Sequence, residues 1–359
     1  MKIALLGDIA FFGKFSINNN ANLFEYFKTI SNELSSYDLV IGNLETPFVE
    51  EGVKPYGFKS AYIKSSPQNL ELLKYLNIDV VNLANNHIYD YGKKGYKLTK
   101  SLLKKNDIKY FGIENKQLTI DFDNNKLALN GFCCYSTNPI GIDIKGVNAL
   151  NINSAEKILI ENSERSLFNI FSVHCGQEHV NYPNYDHIRL ARQLAKITPY
   201  VFYGHHPHVA QGVEEQNGSL IAYSLGNFCF DDVYTSKSKE PLIKQTENNK
   251  ESFILELEVK NNELIDYKII PIYMGEKEMI VGSLDISNKI NHYSKILNLE
   301  KMEYKFKRNV LLNSYITERK NKRNLKWYIK RLNYKSFFLI TSSLFNARKY
   351  KKNILRQLN

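Results

Sequence analysis

Five short segments of this 359-residue chain carry residues that bind divalent metals: Asp8, then Asn43 with Glu45, then Asn85-Asn86-His87, then His174, then His205-His206-Pro207-His208. Each follows a brief apolar run (KIALLG, DLVIG, DVVNLA, LFNIFSV, YVFYG), and five of the eight histidines sit at such ends. Carboxylate, imidazole and amide-oxygen donors in one set suit Mn, Fe or Zn better than Ca or a thiolate cluster. Taken singly the residues are ordinary. An Asp after a strand usually caps a turn, Asn tolerates left-handed backbone, and a lone His is more often a satisfied core residue than a ligand. The triple histidine is harder to place without a ligand role. Its imidazoles repel when protonated, and His-Pro-His can aim two rings at one centre. Together the segments predict a divalent-metal site of hydrolase type, with one or two ions.

The elements that must position these groups follow from periodicity. KIALLGD and DLVIGNLE read as buried strands, separated by a helix LFEYFKTISNELSS with Leu23, Phe24, Phe27, Ile30 and Leu34 at helical spacing. Ser66-Pro67 opens a second helix, DVVNLANNH is a third strand, and GYKLTKSLLKKND a third helix. Such β-α-β units predict a largely parallel, helix-covered sheet, with a site outside the carboxyl ends of its strands. LTIDFDNNKLALNGFCCY reads as a hairpin with an Asn-Asn turn, and SAEKILIENSE and HIRLARQLAK as helices. YVFYGHHPH and SLIAYSLGNF read as strands, and residues 233–251 as an exposed polar loop. ESFILELEVKNNELIDYKIIPIYM alternates on both sides of Asn261-Asn262, the pattern of an antiparallel hairpin. Beyond Gly282 the chain turns helical and basic.

Composition bounds the rest. At 43% hydrophobic residues the chain can bury a sizeable core, and its four cysteines form no CxxC pair or disulfide framework, which fits a reducing compartment. Gly7-Asp8 interrupts the first apolar run too early for a secretory signal, and no stretch reaches a membrane span. A cytoplasmic protein is expected, peripheral at the inner membrane face. The net charge of +11 is uneven: residues 301–359 hold 17 Lys/Arg against Glu303 and Glu318, and the remainder is mildly acidic. Residues 320–359 mix this charge with Trp327, Tyr328, Phe337, Phe338, Leu344 and Phe345. That composition fits a helix on an anionic membrane surface, or one packed on the body or on a partner subunit. No motif for specific nucleic-acid binding accompanies it.

The ordered set Gly7-Asp8, Gly42–Glu45, Asn85–His87, His174–His179 with Tyr182-Pro183, Gly204–His208 and Ser224–Phe228 closely resembles the capsule-synthesis protein CapA family, associated with poly-γ-glutamate and other capsules. It also resembles the calcineurin-like metallophosphatase superfamily. The resemblance spans roughly residues 1–275 and implies a four-layer α/β/β/α sandwich there; residues 283–359 read, from their own pattern, as a basic helical extension. It implies Asp8 and His208 on a first metal, Asn86, His174 and His206 on a second, and Glu45 bridging. It implies His87 beside the metals, polarising a scissile phosphate or protonating the leaving group. Asn43, His205 and Asn227 would bind substrate or support the ligands. The implied substrate is a phosphoester or a surface-polymer intermediate, and the alternative is an accessory factor that binds without turnover. Two departures stand out: Asp8-Ile9-Ala10 lacks the histidine that metallophosphatases place two residues after the Asp, and His174-Cys175-Gly176-Gln177-Glu178 replaces an HWGEE-like segment. The membrane anchor that many family members carry at the N-terminus is not read here.

Overall fold

The apolar runs become strands because their side chains are buried on both faces, which only a covered sheet permits. In the computed structural model, residues 1–140, 146–235, 238–321 and 334–358 are described. The strands are β1 (Lys2–Ile9), β2 (Leu39–Leu44), β3 (Val80–Asn82), β4 (Lys109–Phe111), β5 (Leu118–Phe122), β6 (Asn125–Cys133), β7 (Phe168–His174) and β8 (Tyr200–His205). They continue with β9 (Val213–Gln216), β10 (Ser219–Ala222), β11 (Asn227–Cys229), β12 (Val233–Thr235), β13 (Ser238–Ile243), β14 (Glu251–Lys260), β15 (Glu263–Met274) and β16 (Met279–Val281).

Periodicity alone predicts a single parallel sheet; the chain builds two mixed ones. The first runs β16-β15-β14-β1-β2-β3-β4, with β11 against the end of β1, and the second runs β5-β6-β7-β8-β10-β9. Strands buried on both faces look alike in sequence whichever sheet they join, so the split is invisible there. Ile3, Leu5 and Ile41 of the first sheet meet Leu127, Leu129, Ile170 and Val201 of the second in the central core. Their alternates Ala4, Leu6 and Val40 face Phe27, Ile30, Leu34, Leu73 and Leu103 of the first helical layer. Phe171, Val173 and Phe202 face helices Ile152–Glu164 and Tyr185–Leu194 on the other side. The result is a four-layer α/β/β/α sandwich.

Local differences have local causes. The first helix breaks at Phe27 into Leu23–Tyr26 and Lys28–Leu34. The β5–β6 turn falls on Asp123-Asn124, one residue early, with Asp123 at φ 49°. The Asn261-Asn262 turn forms as read, both residues at positive φ (53° and 65°), as the tight hairpin turn requires. Residues 233–251 are not a plain loop: β12 pairs with β13, and the short helix Glu247–Lys250 is capped through Asn249 Oδ1, which accepts from the Thr246 amide at 3.0 Å. Helices Leu284–Ile296, Lys301–Asn321 and Tyr334–Tyr350 follow. Trp327 and Tyr328 lie outside the described residues, among which no helix is long and apolar enough to cross a membrane.

Two glycines explain why strand-end pairs begin with Gly. The Ser224–Asn227 segment threads between β1 and β8: the Asp8 amide donates to the Gly226 carbonyl (3.0 Å) and the Leu225 amide to the Gly204 carbonyl (3.1 Å). A Cβ on Gly7 would lie 2.0 Å from the Gly226 carbonyl oxygen, and one on Gly204 1.9 Å from that of Tyr223. Backbone, unlike a flexible side chain, cannot yield. Gly204→Ala is therefore expected to cost about 3 kcal/mol or more, at or beyond the upper end of overpacking penalties, read as a fallen midpoint in urea unfolding.

Candidate metal centre

The carboxyl ends of the parallel strands of both sheets meet at one place. From the first sheet come Asp8 near the end of β1, Asn43 and Glu45 at and beyond the end of β2, and Asn86 and His87 beyond β3. From the second come His174, which ends β7, and His205, His206 and His208 at and beyond the end of β8. All are buried except His87, which is only partly exposed.

Two clusters of possible ligands share one carboxylate. Asp8, Glu45 and His208 form one, and Glu45, His174 and His206 the other, each with its donor atoms within 4.8 Å of one another. Glu45 Oε1 lies 3.7 Å from His174 Nε2, 3.8 Å from His208 Nε2 and 3.9 Å from His87 Nε2. Neither Glu45 oxygen has a hydrogen-bond partner, although the side chain is wholly buried. His206 Nδ1 is likewise buried and unpartnered. Burying an unpaired carboxylate is costly, and such atoms suit a cation as their partner. The donor set and its orphaned atoms fit a divalent metal. Asn86 Oδ1 faces the second cluster, 2.9 Å from His174 Nε2.

Supporting residues fix the ring orientations. Asn227 Oδ1 lies 2.9 Å from His208 Nδ1, an N–H···O bond that leaves the Nε2 lone pair facing Glu45. Asn43 Nδ2 donates to Asp8 Oδ1 (2.7 Å) and lies 3.3 Å from His174 Nδ1. The His206 amide donates to Asp8 Oδ2 at 3.1 Å. His205 turns its Nε2 to Ser172 Oγ (3.1 Å) and its Nδ1 toward Asp8 Oδ1 (3.4 Å). His206 and His208 adopt φ of 92° and 57°, which non-glycine residues hold only where the surroundings enforce it.

Charge is tuned by burial first. Burial, followed by the Asp8 charge, lifts the Glu45 carboxyl well above the usual range. Burial pushes Asp8 up as well, but the surrounding histidines, His205 foremost, outweigh it and hold that carboxyl below the usual range. Burial depresses His206 to about 4 and His174 well below its ordinary value, so both are neutral and able to ligate near pH 7.

Asp90 and Lys59 carry no signal in the sequence reading, and Glu178 appears there only as part of a divergent segment. Asp90 Oδ2 lies 2.7 Å from His87 Nδ1, a separation that requires the proton between them, so Nε2 is directed at Glu45. Lys59 Nζ donates to Asp90 Oδ1 (2.7 Å) and to the Asn86 carbonyl (2.8 Å), and lies 3.1 Å from His87 Nδ1. Burial opposes the charge on Glu178, yet His206, His179 and His208 draw it down to about 2. The His-x-x-Asp spacing could have flagged Asp90. Nothing near Lys59 could have done the same. Ala10 packs in an apolar cluster with Phe230, Val233, Ile63 and Phe12, and that cluster offers no polar group there. Phe230 also packs on the His208 ring, at 4.6 Å between centroids.

The chain is thus a four-layer sandwich with two groups of possible metal ligands sharing one carboxylate at its strand ends, and sequence comparison supplies the family. The family described as bacterial capsule synthesis protein PGA_cap matches residues 2–232, and the chain belongs to it. The PGA biosynthesis protein CapA of Bacillus subtilis (strain 168) is 27% identical over 268 residues, covering 71% of this chain and 66% of that protein. The capsule biosynthesis protein CapA of Bacillus anthracis is 27% identical over 275 residues, covering 72% and 64%. The chain thus spans just under two thirds of the length of these relatives. Among solved structures, a hypothetical protein from Thermus thermophilus aligns at TM-score 0.47 and 14% identity, over 76% of this chain and 98% of that one. The sulfate thiohydrolase SoxB from the same organism aligns at 0.42 and 10%, over 77% and 45%.

Proposed function

We propose that the chain is a divalent-metal-dependent hydrolase of capsule or poly-γ-glutamate synthesis, acting on a phosphoester or a related surface-polymer intermediate. The observation that carries this reading is the wholly buried Glu45 carboxylate, unpartnered and ringed by three imidazoles. Asp8, Glu45 and His208 would hold one ion, and Glu45, Asn86, His174 and His206 the other, with Mn, Fe or Zn matching the donors. A divalent ion held there supplies Lewis acidity toward a reacting oxygen and lowers the pKa of water. Family membership and the names of the Bacillus relatives support the capsule setting.

The chain's own groups do the rest. Asp90 fixes the His87 tautomer, so Nε2 faces the centre and can take or give a proton there. Burial, aided by the Lys59 charge that offsets Asp90, keeps His87 below its ordinary value. Asn227 and Asn43 keep His208 and Asp8 aimed.

The apolar filling around Ala10 favours a second reading, an accessory factor that binds a metal or ligand without turnover. The two are separated by assaying p-nitrophenyl phosphate and its bis-ester with added Mn, alongside metal analysis. The hydrolase reading expects metal-dependent turnover that falls about 10²–10⁴-fold in His87→Ala with metal content retained. Bound metal without turnover, or turnover that ignores His87, would favour the accessory reading.

A further inference from the structure

The basic C-terminal segment does not trail away from the centre. Helix Tyr334–Tyr350 lies along its rim. On one side Phe338 stacks on Phe58 at 5.0 Å with nearly parallel rings. Phe58 adjoins Lys59, which grips Asp90 and the Asn86 carbonyl. On the other side the buried Asn346 donates to Asn138 Oδ1 (3.4 Å), next to Thr137, whose carbonyl accepts from Asn86 Nδ2 (3.5 Å). The chain end is then tied down, with Ile354 and Leu358 buried in the second helical layer.

One side of this helix carries its contacts with the body. Phe338, Asn346 and Tyr350, spaced by multiples of four, point to the body. The opposite face presents Phe337, Ile340 and Leu344 at i, i+3 and i+7, which are 65%, 61% and 59% exposed. Arg348, Lys351 and Lys352 continue it, all exposed. From Tyr334 to the last residue the sequence holds six Lys/Arg and no acid. Water is a poor partner for such a row of aromatic and aliphatic groups. A wholly cationic flank rejects other basic surfaces, including a second copy of the same face. It matches a surface that is apolar beneath and anionic above.

We propose that the outer face of helix Tyr334–Tyr350 docks on the anionic headgroup surface of a lipid bilayer, carrying the rim of the metal centre at that surface. The helix is too short and too charged to cross, so it lies in the interface. Helix Lys301–Asn321 likewise exposes Met302, Phe306 and Val310 at four-residue spacing, with Lys301 and Lys305 beside them and Lys307 paired with Glu303 at 3.2 Å. A substrate held in the same surface would then meet the centre from the Phe58 side.

The test uses the full chain, with EDTA present, and phosphatidylcholine vesicles with or without phosphatidylglycerol. Because no turnover is measured, its outcome is independent of the hydrolase reading. Co-sedimentation is expected with the anionic vesicles only, weakened by salt. Phe337→Ser/Leu344→Ser and Arg348→Glu/Lys352→Glu each change exposed positions, so they are expected to leave the circular dichroism unchanged and to weaken binding about tenfold or more. Equal binding to neutral vesicles, no binding, or binding that both variants retain would overturn the proposal. So would a dimer in light scattering that Phe337→Ser/Leu344→Ser dissociates, or capture of a nucleic-acid duplex in preference to the vesicles.

Discussion

Replacing Glu45 with Gln is expected to make the metal-free protein more stable and nearly to abolish its stabilisation by divalent metal. An unpaired carboxylate in a wholly buried pocket costs several kcal/mol even after relaxation. Its neutral isostere removes most of that cost at the same volume, so a gain of about 1–3 kcal/mol is expected in EDTA. For a chain of this size that raises the melting temperature by roughly 1–2 °C per kcal/mol. The sign with pH follows from the raised Glu45 pKa. The folded carboxyl keeps a proton that the unfolded chain releases from about 4.5 upward, so metal-free wild-type protein loses stability as pH climbs from 4.5 toward the raised value. Glu45→Gln should lose that part of the pH dependence. With Mn or Zn added the order reverses, because ligand binding to the folded state stabilises the wild type alone. Thermal unfolding of both proteins, with and without metal, reads all of this. A Glu45→Gln protein that is less stable in EDTA, yet gains as much from metal as wild type, would remove Glu45 from the centre.

Acidification from pH 7 to 4 is expected to destabilise the chain by several kcal/mol, most of it through buried histidines. His206 and His179 are held at about 4 and His187 at about 3, each chiefly by burial. Below 6.5 the unfolded chain takes up protons that these folded rings refuse, so stability present above 6.5 is lost as pH falls. For His206 alone the loss across 6.5 to 4 is on the order of 3 kcal/mol. The Glu45 contribution runs the other way below neutrality and blunts the fall without cancelling several histidines. His206→Asn and His187→Asn separate centre from scaffold: both should flatten the acid limb of urea-unfolding free energy, but only His206→Asn should also weaken metal binding at pH 7. A free energy that stays level between pH 7 and 5 would contradict neutral buried histidines. Bound metal should steepen the profile, since protons compete for its ligands.

Much of this was legible in the residues themselves. Asp8, Glu45, Asn86, His174, His206 and His208 end apolar runs, and a strand that must bury both faces has nowhere but its ends to put such groups. The Asn261-Asn262 hairpin was equally plain, since two residues tolerant of positive φ sit between alternating strands. What stayed hidden was long-range. Whether β6, β7 and β8 joined the first sheet or formed their own depends on pairings between residues far apart in sequence. Lys59 reaches His87 and Asp90 across 28 and 31 residues from a segment with no periodicity. The β12–β13 ribbon was missed because Lys, Ser and Glu carry little strand signal. The rim helix was visible as composition, whereas its contact with Phe58 was not.

The Ser224–Asn227 segment, wedged between β1 and β8, has a kinetic consequence. It pairs Asp8 with Asn227, more than two hundred residues later, and β1 is closed on its other side by β14, at Leu5 with Leu255. Closing loops of that length is slow compared with forming the β-α-β units on either side. Before the wedge seats, each sheet holds only part of either ligand cluster, and Asn227 cannot yet steer the His208 ring. Assembly of both ligand clusters therefore belongs to the last stage of folding, when the two halves lock, and not to the earlier collapse of either sheet.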